Sequence, residues 1–122
     1  MTEKVFYEPL GGNDMPRFGG PGTFMRLPAV ELDSHLDVGI LGVPLDIGTS
    51  NRPGARLAPR EIRDESRMLR PLNVSTGADL FHSLSIADIG DVPINTFNLQ
   101  KSMGIIEAFY DDVLAADIIP VT

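Results

Sequence analysis

The sequence contains no cysteine, which removes both a disulfide framework and thiolate chemistry and agrees with the cytoplasmic setting expected here. No apolar run is long enough to span a bilayer, and no basic-then-apolar leader opens the chain. A secretory or membrane reading is therefore disfavoured. Positive charge is also scarce: ten Lys and Arg stand against seventeen Asp and Glu, for a net charge of −7. Binding to nucleic acid needs a cationic surface to neutralise phosphate, so that partner class is excluded. Histidine is limited to His35 and His82, which form no HxH or HxxxH pair of the kind that ligates zinc.

What is present suits one small domain of 122 residues, with 43% hydrophobic and 22% charged residues. The charge is unevenly placed. Six of the ten cations fall between Arg52 and Arg70, whereas Asp79 to Thr122 holds seven acids and only Lys101. The cationic stretch reads as a solvated helix with intrahelical pairs, Arg60 with Asp64, and with Glu61 and Glu65 opposing Arg63 and Arg67.

Residues 1–36 read as an N-terminal arm and 37–122 as the α/β part of the chain. "GGNDMPRFGGPG" (11–22) disfavours regular structure, and the apolar residues around it, Phe18, Phe24, Met25 and Leu27, favour an arm that wraps over a surface. "DVGILGVPL" from Asp37 is a short run apolar on both faces, as in a buried strand. Pro59 suits the first turn of a helix, with Ile62, Ser66 and Leu69 on one stripe and Pro71 as the stop. "SLSIADIGDV" (83–92) gives a second strand. Asn95 or Thr96 then caps a helix whose stripe is Leu99, Met103, Ile106, Tyr110 and Val113, with Gly104 inside it as a point of close packing. "DIIPVT" (117–122) begins a third strand. Strand and helix in alternation predict an α/β fold with a parallel sheet and right-handed crossovers.

In such folds ligands sit beyond the carboxyl ends of the strands. The loop after the first strand, "GVPLDIGTSNRPGARLAPREIR" (42–63), enters a helix N-terminus but matches neither phosphate-binding glycine pattern, so nucleotide binding is disfavoured. Asp46, Asp88 and Asp91 follow strands and have the chemistry to share a cation; capping of turns and helices is the competing and favoured role. No complete active site can be assembled from these residues.

"TFMRLP" (23–28), the 42–63 loop and "DIGDV" (88–92), in that order and spacing, resemble the N-terminal part of the ureohydrolases, the arginase and agmatinase family, and are most similar to its agmatinase and guanidinobutyrase-like branch. The resemblance implies a three-layer αβα fold on a parallel sheet, of which only the first β-α-β-α-β part is present. It implies hydrolysis of a linear guanidino compound, of agmatine or guanidinobutyrate type, to urea and an amine. It further implies two bridged Mn²⁺ ions, Ni²⁺ in some members, and assembly into trimers or hexamers. The family's ligand segments GGDH, DAHxD and DxDxxDP are all missing from these residues. No catalytic residue and no metal ligand is therefore carried over; His35, His82, Asp46, Asp88 and Asp91 receive no metal role. No metal is expected to be bound by this chain alone, and whether the chain alone is an enzyme is left open, with inactivity expected.

Of the residues that do match, the resemblance puts Asn51 and Arg52 at the substrate entrance, with organisation of the turn and of subunit contacts as the alternative. An arginine would repel a cationic guanidine, so Arg52, Arg56 and Arg60 are expected to bind carboxylates, within the subunit or across an interface. The alternative to a hydrolase portion is a non-catalytic module that pairs with full-length ureohydrolase subunits through the arm and an open sheet edge.

Overall fold

Three short strands lie side by side in parallel, in the order β2-β1-β3. The computed structural model describes residues 4–32 and 35–122. Strand β1 (Val38–Gly42) is followed by helix α1 (Ala58–Glu65). The short helix α2 (Leu80–Ser83) then leads into β2 (Ile86–Asp91), and helix α3 (Leu99–Ala115) into β3 (Ile119–Val121). Single 3₁₀ turns occupy Phe24–Arg26, Ala55–Leu57 and Ser66–Met68. The expected parallel α/β order is present, with each strand three or four residues shorter than the stretch that predicts it.

The two-residue period of a strand divides the core. Leu41, Ala87 and Ile89 face α3, where Val113 and Ile118 are buried and Ile105, Ile106 and Phe109 pack around them. Val38, Ile40 and Ile86 face the other way, onto Met25, Leu27 and Phe81. Both faces of the sheet are thus covered, which is why the strands read as continuous apolar runs. Tyr7 from the arm touches both clusters.

The arm wraps in part, as expected. Met25 and Leu27 are buried, but Phe18 is 87% exposed. The arm also lengthens the sheet: Val30 N donates to Asp88 O and Asp88 N to Pro28 O, making a parallel bridge between Ala29 and Asp88 on the outer edge of β2. Strand β3 forms the opposite edge, pairing only with β1 among the described residues.

Helix α3 corrects two details. It is capped by Asn98, whose Oδ1 accepts from Lys101 N at 2.9 Å. Asn95 is committed elsewhere, its Oδ1 to Phe97 N and its backbone to the Ser102 hydroxyl. The buried face is centred on Ser102, Phe109 and Val113, so Leu99 and Met103 at the start of the predicted stripe lie exposed. An added Cβ at Gly104 would meet nothing within 4 Å, so close packing does not explain that glycine.

On α1 the expected Arg60–Asp64 pair is replaced by Arg67–Asp64 at 3.5 Å, and Arg63 turns inward rather than joining a solvated face. Ser66 of the predicted stripe is buried, while Ile62 and Leu69 are more than half exposed.

Candidate functional site

Two arginine–carboxylate clusters organise the carboxyl ends of β1 and β2. The first closes the loop between β1 and α1. Asp46 Oδ2 accepts from Gly54 N at 2.8 Å and Arg56 N at 3.4 Å, and its Oδ1 from Arg56 Nε at 2.6 Å. A single carboxylate thereby draws the far end of the loop back onto its start. Gly54, at φ +132, holds a conformation that other residues rarely adopt, which explains the glycine there. The N–H of Gly54, followed by the Arg56 guanidinium, keeps Asp46 below the usual carboxylate range.

The second cluster joins α1 to β2. Arg63 Nε and Nη2 donate to Asp88 Oδ2 and Oδ1 at 2.8 and 3.0 Å, and Nη1 donates to Asp91 Oδ1 at 2.6 Å. In an unbroken strand, residues three apart point to opposite faces. Here the register slips: Ile40 pairs with Asp88 but Leu41 with Gly90, leaving Ile89 as the extra residue of a β-bulge, with Gly90 at φ +86. The bulge returns Asp91 to the side of Asp88, and one guanidinium bridges both.

Asp88 is 2% exposed and also accepts from Phe24 N at 2.7 Å and Gly90 N at 2.9 Å. Burial pushes its carboxyl up, but the Arg63 bonds and the two N–H groups outweigh that and leave it below the ordinary value. The Asp88 carboxylate in turn raises Arg63 further above its own. Ser66 extends the network: its Oγ accepts from Met25 N and donates to Arg63 O, each at 2.7 Å. The arm, α1 and β2 therefore meet at one ion pair.

Beside these clusters lies a pocket of about 310 Å³ lined by Leu45, Asp46, Ile47, Arg56, Val92 and Ile94. It sits beyond the carboxyl ends of β1 and β2, where α/β folds bind ligands. A second, apolar groove of about 430 Å³ runs between α1 and the edge of β3, lined among others by Phe24, Ile40, Pro59, Ile62 and Val121.

Asn51 and Arg52 lie exposed in the same β1–α1 loop but are not among the residues that line the pocket. Of the three arginines expected to bind carboxylates, Arg56 does so; Arg52 and Arg60 make no ion pair among the described residues. Of the strand-end aspartates, Asp88 and Asp91 come together on Arg63, while Asp46 is held separately by Arg56. His82 sits on α2, and His35 in the turn before β1. Sequence reasoning missed Arg63 as the bridging cation. The available signal was Gly90, since a glycine within a strand pattern marks a bulge.

These carboxylates do not fit a metal pair. Asp46 and Asp88 already spend both oxygens on N–H donors, and arginine supplies their countercharge. Among the described residues, no group of three or more His, Cys, Asp or Glu is placed to hold a metal ion.

The chain matches the family model described as "Arginase family" over residues 36–122. It is 59% identical over 124 residues to a guanidinobutyrase of Pseudomonas aeruginosa, covering 98% of this chain and 39% of that protein. To a mitochondrial agmatinase of Gallus gallus it is 44% identical over 117 residues, covering 96% of this chain and 34% of that one. The solved structure of proclavaminate amidino hydrolase from Streptomyces clavuligerus superposes with a TM-score of 0.80 at 31% identity, over 88% of this chain and 36% of that one. The chain thus spans less than two-fifths of the length of each.

Proposed function

The chain belongs to the arginase family, and on that premise we propose that it forms the N-terminal part of a ureohydrolase acting on a linear guanidino compound of guanidinobutyrate or agmatine type. The products are urea and an amine. The observation that carries this reading is the 59% identity to a guanidinobutyrase across nearly the whole chain. The family resemblance extends the proposal to a cytoplasmic trimer or hexamer with a binuclear Mn²⁺ or Ni²⁺ centre. Because the carboxylates here are spent on arginines, no catalytic step is assigned to residues 1–122, and the metal ligands are assigned to another part of the complete enzyme. What these residues contribute is shape. The Arg63 bridge fixes the end of β2, and Asp46 fixes the loop that flanks the pocket. Asn51 and Arg52, on that loop, remain the proposed entrance residues.

The test is urea release from guanidinobutyrate and from agmatine, with added Mn²⁺, by this chain and by the same chain extended through its downstream reading frame. The 122 residues alone are expected to release no urea, and the extended chain to release it. Turnover by residues 1–122 alone would overturn the assignment of the ligands elsewhere. An inactive extended chain with intact ligand motifs would overturn the substrate class.

A second reading, a non-catalytic module that pairs with full-length ureohydrolase subunits, is favoured by one observation. The β3 edge is open among the described residues, and Ile119 and Val121 on it are 62% and 46% exposed. Co-purification with a full-length homologue would support this reading; a stable lone monomer would count against it.

A further inference from the structure

His82, on α2, is held from both sides. Its Nδ1 lies 2.7 Å from Asp79 Oδ2, at the N-cap of the same helix, and its Nε2 meets Glu8 Oε1 of the N-terminal arm. Carboxylate oxygens can only accept, so engaging both carboxylates requires a proton on each ring nitrogen. A neutral imidazole carries one proton, and one carboxylate then faces a lone pair. The contact to Asp79 is local, three residues away, and Asp79 is also anchored by His82 N through Oδ1. The contact to Glu8 spans the chain. Glu8 is therefore the partner lost on deprotonation.

We propose that Glu8, His82 and Asp79 form a proton-operated clasp that fastens the N-terminal arm to the domain, closed with the imidazolium and open with the neutral imidazole.

The surroundings leave this equilibrium to the three residues. They line a shallow pocket of about 110 Å³ whose other walls are Pro9, Pro71, Leu72 and Phe81, so the charged groups facing His82 are Asp79 from its own helix and Glu8 from the arm. The other polar ties of residues 4–10 are of types that do not titrate near neutrality. Lys4 pairs with Asp37 at 2.8 Å, the Ser85 hydroxyl donates to Val5 O, and Arg26 Nη1 donates to Leu10 O at 2.9 Å. Asp79, and then Glu8, raise the imidazole above its ordinary 6.5. The sign follows from linkage. The clasp is fully closed below the ordinary imidazole value and is lost as pH rises through the raised one. Opening loosens the stretch of the arm around Glu8, beside Phe81, which is 1% exposed in the closed form.

Amide hydrogen exchange of residues 4–10, corrected for the intrinsic pH dependence of exchange, provides the test between pH 5.5 and 8.5. In the unmodified protein, protection of the arm is expected to fall by about two- to fivefold as pH rises, the scale of an exposed ion pair. H82Q, which keeps a donor but cannot titrate, is expected to remove that pH dependence. E8Q is expected to remove it as well and to lower the His82 titration midpoint read by NMR. Equal pH profiles in all three proteins, or a His82 midpoint unmoved by E8Q, would overturn the clasp. The readout requires no turnover, so it stands or falls separately from the hydrolase assignment.

Discussion

Arg63 holds Asp88 through two parallel hydrogen bonds, at 2.8 and 3.0 Å, and with its third donor reaches Asp91 across a bulge in β2. The pair is nearly dry on both sides, with side chains 11% and 2% exposed. A fork of planar donors matches a carboxylate in a way that a single ammonium does not.

Removing the guanidinium should therefore be costly, because Asp88 would be left buried without its cation. R63M is expected to lose about 3 kcal/mol in urea unfolding, the low end for a broken buried pair because Asp91 remains hydrated. R63K is expected to recover only part of that loss, since it cannot make the paired bonds to Asp88 and still reach Asp91. If R63K equals the unmodified protein, the bidentate geometry is unimportant.

The same pair sets a pH signature. Asp88 sits below its ordinary value in the folded protein, so its contribution is complete above the unfolded carboxylate value of about 3.9 and is lost as pH falls through the folded one. Without Arg63, only the N–H groups of Phe24 and Gly90 oppose the effect of burial, so the Asp88 carboxyl rises from its folded value in the unmodified protein. The carboxylate then contributes less stability above the unfolded value than it does in the unmodified protein. Unfolding free energies of R63M and the unmodified protein should thus differ more at pH 7 than at pH 4. A constant gap would show that Asp88 does not carry the coupling.

The strands and α3 were legible because apolar period and turn residues are local properties. "VGILG" reads as a strand buried on both faces because it is short, apolar throughout and bounded by turn residues, and the period of α3 named its core face to within one residue. The candidate site was less legible. Read at period two, "DIGD" places Asp88 and Asp91 on opposite faces, and only the slip at Ile89 brings them together. Arg63 sits in a run of charges that looks solvated, and its partners lie 25 and 28 residues away. The pairing of Ala29 with Asp88 is equally non-local. No window of sequence contains both halves of such contacts.

Two glycines should respond in opposite directions to alanine. A Cβ on Gly42 would lie 2.1 Å from Asp91 Oδ1 and 2.7 Å from Pro59 Cβ, where α1 crosses the end of β1. G42A is expected to cost about 1–3 kcal/mol through forced displacement of α1 and of the Arg63 cluster. Gly104 is helical, and its added Cβ meets open space. G104A is expected to gain about 0.5–1 kcal/mol by restricting the unfolded chain and raising helix propensity. Thermal or urea unfolding of the two variants checks both signs.

The loop held by Asp46 should loosen without the domain unfolding. Asp46 binds Gly54 N and the Arg56 side chain, while the loop between them, residues 48–53, is exposed and adds nothing to either hydrophobic cluster. Apart from Thr49, whose N–H and hydroxyl donate to the Asp46 carbonyl, its order rests on that carboxylate rather than on buried area, which places it at the low-stability end of the structure. D46N keeps the size of the side chain but loses the charge that binds Arg56. Limited proteolysis is expected to cut between Gly48 and Arg56 severalfold faster in D46N, with little change in the global unfolding midpoint. An unchanged cleavage rate would mean that the loop is ordered by something other than Asp46.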